Sequence, residues 1–239
     1  MLSRRKIMFT VASSSALAVT GRSMAQQTKT IDVVKDWGFA PSSLLPTAPA
    51  ETPTGLEPAR NEEVTTAFRL LFRAPRGVTP LLVAEYFEGL RDKNSAGKPY
   101  NYEWPTPGRA NPLIVGFFSM TNTLPSEGDQ TSWCAAFVNF CLAVADKKLT
   151  GSALSGSFRT YGQQTNDPTP GDIVVFRDAG PKGNQGFGHV GFFVSKDNNG
   201  IQVLGGNQRG STGSTGAVTR TKFGFSSGGL IFHSYRKIL

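Results

Sequence analysis

The chain has 239 residues, 38% hydrophobic and 18% charged, the balance of an ordinary globular protein rather than a disordered or fibrous one. Its formal net charge is +8, but Arg4, Arg5, Lys6 and Arg22 fall in the first 25 residues, which hold no acid; the remainder carries 21 bases against 17 acids, net +4. With no basic run and no interleaving of basic and aromatic residues, this charge excludes a nucleic-acid binder, and no stretch of eighteen uncharged apolar residues offers a membrane span in the mature chain.

The first element is a targeting segment. "MLSRRK" is a basic lead, "IMFTVASSSALAVTG" a short, mildly apolar stretch, and "SMA" at 23–25 sets small residues where a signal peptidase cuts, so the mature chain is expected to start at Gln26. Arg4–Arg5 after Ser3, before a weakly apolar segment, reads as a twin-arginine signal, with an ordinary secretory signal as the alternative. Export to the periplasm or outside a bacterial cell follows from either. Residues 26–60 hold prolines 41, 46, 49, 53 and 58 and read as a linker or extended arm.

A helical region is expected over 61–109. "NEEVTTAFRLLFRAP" has Asn61 as a cap and an apolar face of Val64, Phe68, Leu71 and Phe72. "TPLLVAEYFEGLRD" opens on a cap and a first-turn proline, with a stripe of Leu82, Val83, Tyr86, Phe87 and Leu90. A polar loop, "DKNSAGKPYNYEWPTPGR", leads to "NPLIVGFFSM", a third helix weakened by Gly116. From 131 onward one helix, about 133–146, precedes short strands at 172–177, 189–196, 200–206, 217–223 and 230–238, rich in Val, Ile and Phe and bounded by turn residues. "DNNG" marks a hairpin. One helix feeding an antiparallel sheet is an α+β layout.

Both cysteines lie on that one helix. Seven residues of helix separate their Cα atoms by about 10.5 Å, beyond the ~7 Å a disulfide tolerates. The same geometry keeps two thiolates from one zinc, and only His189 and His233 remain as soft ligands, so no metal is expected. Cys134 falls in the first turn, where Thr131 or Ser132 can cap and where free N–H groups and the helix dipole lower a thiol's pKa and can hold an oxyanion. Cys141, two turns deeper, reads as packing. On pattern alone a lone cysteine at a helix start is more often structural.

The blocks "WCAAFVNFCL", "TPGDIVVFR", "GHVGFFV" and "GIQVLGGNQ", in that order, resemble the NlpC/P60 and CHAP superfamily of papain-like peptidoglycan hydrolases, and most closely a branch with "WCAAFVNWCL", "PGDIVVF", "GHVGFYV" and "VLGGNQ" blocks. The resemblance covers about 110–210 and leaves 26–109 outside; a hydrolase domain over 110–239 is expected from it. It implies Cys134 as nucleophile, His189 as general base and then acid, and a third residue on the next strand, Asn207 or Gln208, orienting the imidazole. Some relatives have an acid two positions before Asn207, where this chain has Gly205, so no carboxylate is assigned. Gly188 would let the backbone approach the helix tip. Gln130 is a candidate oxyanion donor, with a solvated Asp129–Gln130 loop as the alternative, and Trp133 either walls a groove or packs in the core. His233 matches no motif and reads as structural.

The expected function is an exported cysteine hydrolase, cofactor-free, cleaving a peptidoglycan amide in a stem peptide or between N-acetylmuramic acid and L-alanine. Two alternatives remain: a wall-binding module with a vestigial site, using the "GGNQRGSTGSTG" stretch on glycan, and a transacylase or transpeptidase using the same pair.

Overall fold

The structure, a computed structural model, describes residues 56–104, 108–209 and 216–239. The targeting segment, most of the proline-rich linker and the middle of the glycine-rich run lie outside them. The described helices are α1 (Asn61–Phe72), α2 (Pro80–Glu88), α3 (Pro112–Phe117), which runs on into a 3-10 turn, and α4 (Cys134–Val144). Strands are β1 (Leu56–Glu57), β2 (Gly108–Arg109), β3 (Gln163–Thr165), β4 (Ile173–Asp178), β5 (Gly188–Asp197), β6 (Gly200–Arg209), β7 (Gly216–Phe223), β8 (Ser226–Ser227) and β9 (Leu230–Lys237). Together they make an α+β architecture. β1 and β2 form a small parallel pair. The main sheet runs β3-β9-β4-β5-β6-β7, antiparallel throughout, with β8 paired to β9. The "DNNG" turn closes the β5–β6 hairpin at the Asp197–Gly200 pair.

Alternation along the strands sorts side chains onto two faces. Ile173, Val175, Val190, Phe192, Leu204 and Val218 join the core that α4 completes. Val174, Phe176, Phe193, Ile201, Val203 and Tyr235 form a second cluster on the other face. Three strand spacings, about 14 Å in a flat sheet, separate β4 from β7. The Phe176 and Phe223 rings nonetheless lie 5.0 Å apart. The sheet therefore curls around this second face.

Several expectations for the N-terminal region change. Asn61 is the first helical residue of α1, not its cap; Arg60 takes that position and donates its N–H to Glu63 Oε2 at 2.8 Å. The buried face is Glu63, Ala67 and Leu70, about one residue's rotation from the expected Val64–Phe68–Leu71–Phe72 stripe. Glu63 draws that face inward, because Arg109 Nε and Nη2 donate to its carboxylate at 2.8 and 2.9 Å. On α2, Val83 and Phe87 are fully buried while Leu82 faces solvent. Phe87 packs edge-on against Phe117, Phe137 and Phe140, so α2, α3 and α4 share one core.

The stretch expected as a polar loop turns inward in its second half, where Tyr100, Asn101 and Trp104 are buried. Tyr100 and Trp104 are 1% exposed. Asn101 O accepts from Val218 N at 2.9 Å, and Glu103 N donates to Gly216 O at 2.8 Å, so this segment lies along β7 as a strand would. Periodicity missed it because its aromatic residues are scattered among turn formers.

Candidate active site

Cys134 is the first residue of α4, after Trp133 at the cap position. Neither Thr131 nor Ser132 caps the helix; the Thr131 hydroxyl instead accepts from Glu127 N at 3.0 Å. Cys134 is 5% exposed. Burial pushes its thiol up to about 11, against the N–H groups of Val190, Ala135 and Cys134, which point at the sulfur and favour the thiolate. The helix start thus does not by itself yield a low-pKa thiol: burial outweighs the N–H groups. Cys141 is fully buried and unpaired with Cys134.

The helix tip enters the sheet where β5 and β6 part. Their pairing begins at Phe192–Leu204, leaving 188–191 without β6 partners. That frees the Val190 N–H for the Cys134 sulfur. Gly206 makes room on the β6 side: a Cβ there would lie 2.6 Å from Trp133 Cε3 and 2.8 Å from Phe137 Cβ. Trp133 is fully buried, so it packs in the core and walls no groove. Its indole N–H donates to Glu103 Oε1 at 2.7 Å, and Glu103 Oε2 accepts from Gly216 N at 2.9 Å. Glu103, which motif reading missed, is thus a half-buried strap between the residue before Cys134 and β7; burial raises its pKa.

His189 stands one residue before Val190, opposite Phe176 of β4, and its ring stacks on Phe223 at 5.0 Å on the curled face. Its Nε2 is buried without a hydrogen-bond partner, and burial pulls the imidazole down to about 4. Burial thus disfavours the charged form of each group, the Cys134 thiolate and the His189 imidazolium. Gly188 is needed, but for another contact than expected. A Cβ there would crowd the β4 backbone, 2.9 Å from Phe176 C and 3.0 Å from Arg177 Cα, rather than the helix tip.

Asn207 and Gln208 part company at a bulge in the β6–β7 pairing between Gly205 and Gln208. Asn207 adopts φ +55°, and its Oδ1 lies toward Gly216, 2.7 Å from where a Cβ would stand. Gln208 pairs with Ala217 and is 2% exposed. Its carboxamide lies over Gly205, in space a side chain at 205 would need. Neither its Oε1 nor its Nε2 has a partner. Gln130 Nε2 faces Trp104 O and Asp129 Oδ1, both at 3.4 Å. Asp129 is fully buried, not solvated: its Oδ2 accepts N–H groups from Trp104 at 2.8 Å and Asn111 at 2.9 Å.

The neutral His189 has a stability consequence. Its folded pKa of about 4 lies below the ordinary 6.5, so as pH falls the unfolded chain takes up the proton first. The contribution is fully present above about pH 6.5 and is lost as pH falls toward 4, on the order of 3 kcal/mol. Thermal melts should show this loss between pH 6.5 and 4, and His189→Phe should flatten it. Equal pH dependence in the two proteins would place the titration elsewhere.

On this α+β frame Cys134 opens a helix that packs against β5, and His189 lies near the start of that strand. Residues 126–207, about a third of the chain, match the family model of the CHAP domain. The resemblance read from the sequence blocks thus has a CHAP domain at its centre, and such a domain points to amidase- or peptidase-type hydrolysis of peptidoglycan. Among curated proteins and among solved structures, none matches the chain significantly. No helix among the described residues is long and apolar enough to cross a membrane.

Proposed function

We propose that this protein is an exported cysteine hydrolase that cleaves an amide bond of peptidoglycan. The observation that carries the reading is Cys134 at the first position of α4, on a helix packed against β5, the strand that bears His189. Cys134 attacks the amide carbonyl as His189 takes the thiol proton. The N–H groups at the start of α4 hold the oxyanion. His189 then protonates the leaving amine and activates the water that hydrolyses the thioester. Incubation with purified peptidoglycan, followed by mass spectrometry, tests this. Hydrolysis yields new amino and carboxyl ends, whereas a transacylase yields cross-linked or exchanged products. Binding to the wall with no new ends would support the vestigial-module alternative.

We assign the orienting of His189 to Gln208 rather than Asn207. Gln208 and His189 stand on the curled side of adjacent strands, and both keep buried polar atoms without partners. The carboxamide lies over Gly205, and a Gln208 carbonyl oxygen accepting from one imidazole nitrogen leaves the other for Cys134. Gln208→Leu is expected to lower kcat roughly 10- to 100-fold with KM little changed, a loss typical of an orienting group. Gln208→Glu should move the acid limb of the rate profile to higher pH, because a carboxylate favours imidazolium. A larger loss in Asn207→Ala than in Gln208→Leu would return the role to Asn207.

A further inference from the structure

His233, which the reaction does not use, sits on β9 where the β4–β9 register slips between Val175 and Phe176. The bulge leaves its side chain exposed. Its Nδ1 lies 2.9 Å from Ser234 Oγ, which also accepts from Arg236 Nε at 3.3 Å. Two more arginines, Arg159 of the 155–160 turn and Arg177 of β4, meet at Gly183. Arg159 Nη2 donates to Gly183 O at 2.8 Å, and the Arg177 side chain packs against the same glycine. The positive charges of Arg159, Arg236 and Arg177 all bear on the His233 imidazole, and no carboxylate does.

The partners these arginines have are neutral: the carbonyls of Gly183 and Phe187, the Asn184 amide and the Ser234 hydroxyl. None forms an ion pair among the described residues, although Arg69, Arg109 and Arg220 all do. Arg159 Nε is buried without any partner. Three guanidinium groups around one imidazole, none with a counter-charge among the described residues, make a site for an anion, with planar donors suited to a carboxylate. The site is next to the reaction centre. Arg177 pairs with Gly188, the residue before His189, about 5 Å away across the β4–β5 ladder. Arg159 also donates to Phe187 O, two residues before His189.

We propose that Arg159, Arg177, Arg236 and His233 form a subsite that binds a free carboxylate of the peptide substrate and selects acidic stem peptides over amidated ones. The substrate in this statement rests on the hydrolase reading above; the anion site does not. Binding is measured by calorimetry in Cys134→Ala protein, with N-acetylmuramoyl-L-alanyl-D-glutamate and its amide, N-acetylmuramoyl-L-alanyl-D-isoglutamine, as probes and inorganic phosphate as a competitor. The acid should bind about tenfold or more tightly than the amide, shift the His233 ring resonances and be displaced by phosphate. Arg236→Gln and Arg177→Gln should each remove that preference and leave binding of the amide as it was. Equal affinity for acid and amide, absence of acid binding, or a preference that survives both substitutions would overturn the subsite. Because the readout is binding in a protein without its nucleophile, a failure of the hydrolase reading appears separately, as absent cleavage by the parent protein.

Discussion

Cys134→Ala is expected to release no new ends from purified peptidoglycan, a loss of at least about 10⁴-fold, since removing a covalent nucleophile leaves only binding and oxyanion stabilisation. The fold should persist, because the substitution removes one sulfur at the first position of α4 and creates no unpaired buried donor beyond those already facing that sulfur. The circular dichroism and melting of the variant separate the two effects. The parent thiol has a further signature. With burial pushing it up to about 11, the thiolate fraction rises about tenfold per pH unit through pH 6–9. Iodoacetamide labelling of Cys134 should follow that slope. A plateau reached below pH 7 would reveal a thiolate–imidazolium pair at rest and overturn the burial effect described above. Undiminished cleavage by Cys134→Ala would remove the thioester mechanism altogether.

Gly206→Ala should be the most damaging single-methyl change. The added Cβ would meet the Trp133 ring and Phe137 Cβ, and both side chains are fully buried. Neither can yield freely: Trp133 is held by Glu103 and packs 6.0 Å from Phe117, centroid to centroid. Overpacking of this kind typically costs about 1–3 kcal/mol, and the upper end is expected here. Activity should fall further than stability, because the displaced helix tip carries Cys134. A melting temperature and a rate both within error of the parent would show that α4 does not wedge against β6 as described.

Where one local pattern governs an element, the sequence foretells it. The strands from 173 to 237 follow from their Val, Ile and Phe runs, and the "DNNG" turn closes the hairpin it names. The separation of Cys134 from Cys141 follows from helix geometry alone. Features that depend on contacts between distant segments stay hidden. Glu103 and Asp129 read as loop acids because their partners, Trp133, Gly216, Trp104 and Asn111, are 18 to 113 residues away. The thiol's pKa is hidden for the same reason: a helix start is visible in sequence, but the packing that buries it is not. The α1 face turns because one carboxylate, Glu63, finds Arg109 forty-six residues on.

The strap through Glu103 bears on how this chain can be cut and recombined. The CHAP match ends at residue 207, yet β7 and β9 complete the sheet beyond it, and α2 covers Phe137 and Phe140 from before it. A fragment trimmed to 126–207 would lose one edge strand of the sheet, the strand between β3 and β4, and the acceptor for the Trp133 indole. The segment that matches the CHAP model is therefore not a portable cassette. Grafted into another protein without the residues that brace it, it would expose an aromatic face and unpaired strand edges, and aggregate before it could act.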